Sequence, residues 1–276
     1  MTTLKAYATL IDYKAYVTAR GQISTTDTTD DAVIEMLLRA ASRWFDERTA
    51  RRFYPYIQTR YFDVPDGRVL NLDEDLLEVI TLVNGDGVTI PSTEYALRPR
   101  NESPYWGIRL VDNSTYLWAS DGAGDTHDVI AVTGIWGYHT DYANAWATAS
   151  TLAEALDTSE TGIDVASGTL YAVGDTIRFD NEFGYVSTIA TNTLTSTRGE
   201  SGSTAAVHDS GAAVRVWQPM DNLKEAVLET AMQAYKRRSG QSGNINQTVT
   251  AAGIVLVPKD IPVLADTFVE SVRKYV

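Results

Sequence analysis

The sequence predicts an α+β protein in which helices at the two ends of the chain pack together, accompanied by a small antiparallel sheet and an inserted all-β barrel or sandwich module. Three observations predict it. Apolar residues recur at three- and four-residue steps near both ends, the period shortens to two from about residue 57 to 134, and residues 161–217 turn rich in Gly, Thr, Ser and Val. The domain division that follows is 1–149 plus 219–276 as the core and 150–218 as the inserted module.

Residues 9–20 read as a short helix, with Thr9 as cap, Leu10, Ile11, Tyr13 and Val17 as apolar positions, and Gly21 as its end. The clearest helix follows. Thr28-x-x-Asp31 resembles a capping box, and Val33, Ile34, Leu37, Leu38, Ala41, Trp44 and Phe45 form one apolar face. Arg48, Arg51 and Arg52 crowd its far end, where cations suit exposed carbonyls, and Pro55 blocks continuation.

Strands are expected at 61–64 and 69–72, joined as a hairpin through Pro65-Asp66-Gly67. Val79–Val83 precedes the turn Asn84-Gly-Asp-Gly87, and 95–97, 107–110 and 129–132 complete the sheet. Residues 141–160 read as a short helix or linker. The module carries strands near 162–165, 175–180, 183–190, 193–197 and 212–217; at roughly 55–60 residues, a domain is only marginally stable alone. Helices at 221–238, closed by Gly240, and at 260–275, capped by Asp260, end the chain, with the polar stretch 239–250 between them.

Most catalytic chemistries lack their residues. The 276-residue chain contains no cysteine, which excludes disulfides, thiolate nucleophiles and Cys-based zinc sites, and fits folding in a reducing cytoplasm. His127, His139 and His208 have no partner at metal-ligand spacing and read as surface or loop residues. Arg198-Gly-Glu-Ser-Gly202 misses the nucleophile elbow by one position, and no phosphate-binding Gly-rich loop occurs. The acidic run Asp73, Glu74, Asp75 and Glu78 reads as a solvated turn rather than a cation site. The expectation is a non-enzyme with no cofactor and no metal.

The formal charge of −13 argues against a protein that grips nucleic acid; it does not argue against a wall that DNA slides past, and its simplest reading is that acidity keeps the chain soluble. The N-terminus has no basic stretch followed by an apolar run, and no segment approaches the ~20 apolar residues of a membrane span. A cytoplasmic product without membrane contact is expected. Six Trp and 15 Tyr supply candidate anchors for protein contacts, Trp136 among them.

Three stretches resemble the head–tail connector, or adaptor, proteins of tailed bacteriophages. They are the helix Asp31–Tyr54, with Ala40-Ala-Ser42 and Thr49-Ala-Arg-Arg-Phe-Tyr54; Leu70-Asn-Leu-Asp73 with Leu76-Leu77 and Val132-Thr-Gly-Ile-Trp-Gly-Tyr138; and the closing helix pair. Together they cover about 200 residues. The module, with Gly174-Asp-Thr-Ile177 and Thr197-Arg-Gly-Glu-Ser-Gly-Ser-Thr-Ala-Ala-Val-His208, resembles β-modules inserted in phage structural proteins. Most adaptors lack such an insertion.

The resemblance implies a virion protein of the phage neck, a ring usually twelve-fold that joins the portal to the next neck or tail protein. DNA would pass through its channel as cargo, and capsid or fibres would be further partners through the module. It points to Phe268, Tyr275 and Val276 as portal contacts, to Trp136 and Tyr138 as motif residues, and to Arg48, Arg51 and Arg52 as candidates to face an acidic neighbour. The alternative is a tail-completion or fibre-attachment protein whose module binds a protein or carbohydrate. If 150–218 is a peripheral decoration, a short linker in its place leaves assembly intact.

Overall fold

The computed structural model describes residues 5–19, 26–238, 248–249, 255–256 and 262–274. The fold is α+β, and the described residues form four helices, two antiparallel sheets of five and six strands, and a two-stranded ladder. The chain divides into two compact units: 1–51, 172–175 and 219–276 form one, and 52–171 with 176–218 the other. The break at 218/219 is the one expected, whereas the expected break at 149/150 has no counterpart. The five-stranded sheet shares its unit with the module strands.

The first unit holds helices α1 (Leu10–Thr18), α2 (Asp31–Thr49), α3 (Asp221–Arg238) and α4 (Val263–Val272). Thr9 and Asp12 form a reciprocal capping box on α1, satisfying two N–H groups that the helix leaves open. In α2 the cap position falls on Asp30, without a side-chain cap bond, rather than on Thr28. That helix also stops before Pro55: Ala50 takes a left-handed conformation (φ 53°), so Arg51 and Arg52 lie beyond the helix and only Arg48 remains in its last turn. Ile34, Leu38, Phe45, Leu223, Val227, Ala231 and Phe268 are buried. Phe45 meets Phe268 edge-on at 5.6 Å, which joins α2 to α4. The expected cap Asp260 and most of 239–250 lie outside the described residues; 248–249 pair with 255–256 as β12 (Thr248–Val249) and β13 (Val255–Leu256).

In the second unit the five-stranded sheet comprises β1 (Tyr56–Phe62), β2 (Val69–Val83), β3 (Tyr95–Arg98), β4 (Tyr105–Leu110) and β5 (Ile130–Trp136), in the order β1-β5-β2-β4-β3. The expected β1–β2 hairpin does not form, because β5 lies between the two strands and pairs with both. β2 is one strand of 15 residues, not two. Its register slips between Asn71 and Leu76, so Asp73, Glu74 and Asp75 form a bulge within a strand instead of a turn between strands.

The six-stranded sheet contains β6 (Trp146–Thr151), β7 (Gly162–Asp164), β8 (Thr176–Phe179), β9 (Glu182–Ala190), β10 (Thr193–Arg198) and β11 (Ala213–Trp217), ordered β6-β11-β8-β9-β10-β7. The 141–160 segment is therefore strand β6 preceded by a single 3₁₀ turn, Tyr142–Asn144, rather than a helix. Residues that follow the two outer strands also bond one another: Ala153 N–H reaches Asp164 C=O at 2.8 Å, and Ala166 N–H reaches Thr151 C=O at 2.9 Å. Ile163, Ile177, Phe179, Val186, Leu194 and Val214 fill the interior of this sheet.

The two sheets share a third apolar cluster, in which Leu77 and Ile135 of the first pack with Phe183 and Trp217 of the second. Backbone contact reinforces it. Ile57 N–H donates to Ser201 C=O at 2.8 Å. Gly202 (φ 82°) lies so close that a Cβ there would stand 2.1 Å from the Ile57 carbonyl oxygen.

Candidate functional site

The residues singled out from the sequence do not converge on one place. Phe268 is buried against Phe45, where it holds α4 in its unit. Arg51 Nε donates to the Val272 carbonyl at 2.5 Å and fixes the end of the same helix. Arg48 is exposed, its guanidinium 5.5 Å from the Trp44 ring. Tyr275 and Val276 lie outside the described residues.

The others belong to the sheet-rich unit. Trp136 is fully buried, and its Nε1 donates to Gln58 C=O at 2.8 Å. Tyr138 is half-buried, edge-on to Phe53 at 5.6 Å, and its N–H donates to Arg52 C=O at 2.7 Å. Arg52 is exposed and lies 4.0 Å over the Tyr56 ring. The Thr-Gly-Ile-Trp-Gly-Tyr element thus anchors β5. Gly134 is required there, since a Cβ would meet Glu78 C=O at 2.6 Å.

The acidic run is dispersed. Asp73 takes a two-pronged bond from Arg60, at 3.0 and 2.5 Å. Glu78 receives both terminal nitrogens of Arg178, at 2.9 and 3.1 Å, and the Tyr142 hydroxyl at 2.9 Å. Burial pushes the Glu78 carboxyl up, but Arg178 and Tyr142 outweigh it and the net shift is downward. Tyr142 itself is pushed well above its ordinary value, first by burial and then by the Glu78 charge. Among the described residues, no group of three or more His, Cys, Asp or Glu is placed to hold a metal ion.

Two histidines expected at the surface are buried. His139 accepts the Asp141 N–H at Nδ1 (3.0 Å), so its Nε2 carries the proton and donates to Gln218 C=O at 3.1 Å. Burial lowers its pKa. His208 sits between two carboxylates, with Nε2 2.9 Å from Glu182 and Nδ1 3.2 Å from Asp180.

Glu182 is the centre of a network that the sequence reading did not find. Arg198 grips it with Nε and Nη2, both at 2.7 Å, and the Ala206 N–H donates to it at 2.8 Å. Burial raises its pKa, yet Arg198, Ala206 and His208 together bring it below the ordinary value. Arg198 also donates to the carbonyls of Asp157, Glu160 and Ala206. Arg198 and the Ala206 N–H find their acceptors within the module, so the network ties its loops together. Its signal in the sequence is a lone charge beside apolar strand residues, as in Glu182-Phe183.

A groove of about 370 Å³ lies between the end of β1 and the first residues of β2. Tyr61, Leu70 and Asn71 border it, together with Asp63, Asp73 and Asp128. Asp63 accepts the Asp128 N–H at 2.9 Å and lies 3.4 Å from His127. No helix among the described residues is long and apolar enough to cross a membrane. No protein-family model matches the chain, and no curated protein sequence does.

Proposed function

We propose that this chain is a structural, non-enzymatic subunit of the neck of a tailed bacteriophage. It would form a ring of about twelve copies that joins the portal to the next neck or tail protein. The reading rests on the resemblance of the three sequence stretches. The observation that carries it furthest is the joining of N- and C-terminal helices in one unit, through Phe45 against Phe268 and Arg51 on Val272 C=O.

The charge distribution supports the same reading. The sheet-rich unit contains twenty-two acidic and nine basic residues, whereas the helical unit is balanced at fourteen of each. All six lysines belong to the helical unit. A surface of this kind repels phosphate and suits DNA that passes without being held. The module is read as a small closed barrel, supported by the bonds that join Thr151–Ala153 to Asp164–Ala166.

Particle mass tests the proposal. With a subunit of 30.3 kDa, a closed twelve-fold ring weighs about 360 kDa. Mass photometry of the purified protein, alone and mixed with its portal, should give that species in at least one setting. A monomer in both settings sinks the reading.

A further inference from the structure

We infer that the groove between β1 and the first residues of β2 receives an extended, basic segment of a partner protein by strand addition. Gly137 N–H donates to Asp75 C=O, so the odd-numbered residues at that end of β5 face β2 and the even-numbered ones face β1. Tyr56, Gln58, Arg60 and Phe62 therefore direct their backbone groups to β5, while Ile57, Thr59 and Tyr61 turn theirs away. Ile57 confirms the parity, since its N–H meets Ser201 outside the sheet. Thr59 and Tyr61 continue the same outward edge, and among the described residues β1 pairs with no strand other than β5.

The first residues of β2 also carry backbone groups turned away from their ladder. Leu110 N–H donates to Arg68 C=O, and Leu70 stands opposite Ile108. Arg68 and Leu70 thus face β4, and Val69 and Asn71 turn their backbone groups toward the other side. Two strand segments that the sequence joins as a hairpin are splayed, each with backbone donors and acceptors uncommitted to a ladder. Unpaired edges of this kind are templates for an added strand, which would lie about 4.8 Å from the edge it pairs with.

Charge selects the occupant. The groove is bordered by Asp63, Asp73 and Asp128. Arg60 is already engaged, on Asp73 at 2.5 Å. The surrounding unit has no lysine and a large acidic surplus. A segment of alternating β-formers and Lys or Arg fits both the backbone and the carboxylates. Tyr61, 61% exposed, offers a ring at the mouth. This inference does not depend on ring formation.

The test uses the full chain and two synthetic nonapeptides, Lys-Val-Thr-Val-Lys-Val-Thr-Val-Lys and its counterpart with Glu for Lys. Calorimetry should show the Lys peptide binding at least about tenfold tighter than the Glu peptide, with salt weakening it. Amide exchange should slow at Thr59, Tyr61, Val69 and Asn71 on binding. Tyr61→Pro removes an outward N–H at an edge position where proline is tolerated. It should abolish binding while leaving the melting temperature and circular dichroism in place. Asp63→Asn with Asp128→Asn should weaken binding and preserve fold. No binding, equal binding of both peptides, or binding indifferent to Tyr61→Pro overturns the inference. So does a Tyr61→Pro protein whose only change is in its own oligomeric mass, which would make a second copy the occupant.

Discussion

Inside the module, the Glu182 carboxylate is held by two nitrogens of Arg198, by the Ala206 N–H and by the His208 ring, with side-chain exposures of 4% for Arg198 and 1% for Glu182. A buried pair of this kind is worth little against an apolar substitute, but removing one partner strands the other charge. Glu182→Ala should therefore cost about 3–5 kcal/mol, because Arg198 and His208 lose their shared acceptor. Joint replacement by Glu182→Leu and Arg198→Met should recover a large part of that loss. Urea unfolding of the single and double variants measures both, and a single-variant cost below about 1 kcal/mol would refute the account. At this scale the sequence was misleading. His139 and His208 follow Gly-Tyr and stand among small residues, which reads as surface. Their burial depends on Gln218 and Glu182, partners 79 and 26 residues away.

The elements were legible where their signal is local. Thr9 with Asp12, the apolar stripe of α2, and the alternation in β8 to β11 all lie within a few residues, and these elements appear close to their expected bounds. Elements whose neighbours are distant were not. The Pro65-Asp66-Gly67 turn is a good hairpin signal, yet β5, more than 60 residues onward, occupies the place of the hairpin partner. The Ala- and Thr-rich β6 has weak periodicity and becomes a strand through its pairing with β11. The same long-range contacts change the expectation for the module. Replacing 150–218 with a short linker removes Phe183 and Trp217 from beside Leu77 and Ile135, and Arg178 from Glu78. The expected result is a five-stranded sheet that no longer unfolds cooperatively, with loss of protection at Leu77 and Ile135 in hydrogen exchange. A truncated chain whose sheet amides stay protected would show that the module is peripheral.

At the scale of the molecule, several titrating groups in the sheet-rich unit act in one direction. Glu78 and Glu182 have folded-state pKa values below their ordinary ones, so their stabilisation is present at neutral pH and fades as pH falls through the carboxylate range. His139 also has a lowered folded-state value. The unfolded chain binds its proton more readily, and stability is lost as pH falls below the ordinary value of 6.5. Thermal unfolding should thus move to lower temperature from pH 7 to pH 5, then more steeply below it. His139→Gln should flatten the upper part of that profile. A melting temperature constant from pH 7 to pH 4 would contradict the direction assigned to all three groups.

The confinement of lysine to the helical unit has a chemical consequence. Between Lys14 and Lys224 there is no primary amine. Amine-directed labels and cross-linkers therefore have no side chain to modify in either sheet, and a protease that cuts only after lysine leaves 15–224 in one piece even when the chain is denatured. Attachment of a dye, a tether or a solid support through amines would report on, and perturb, the helical unit alone.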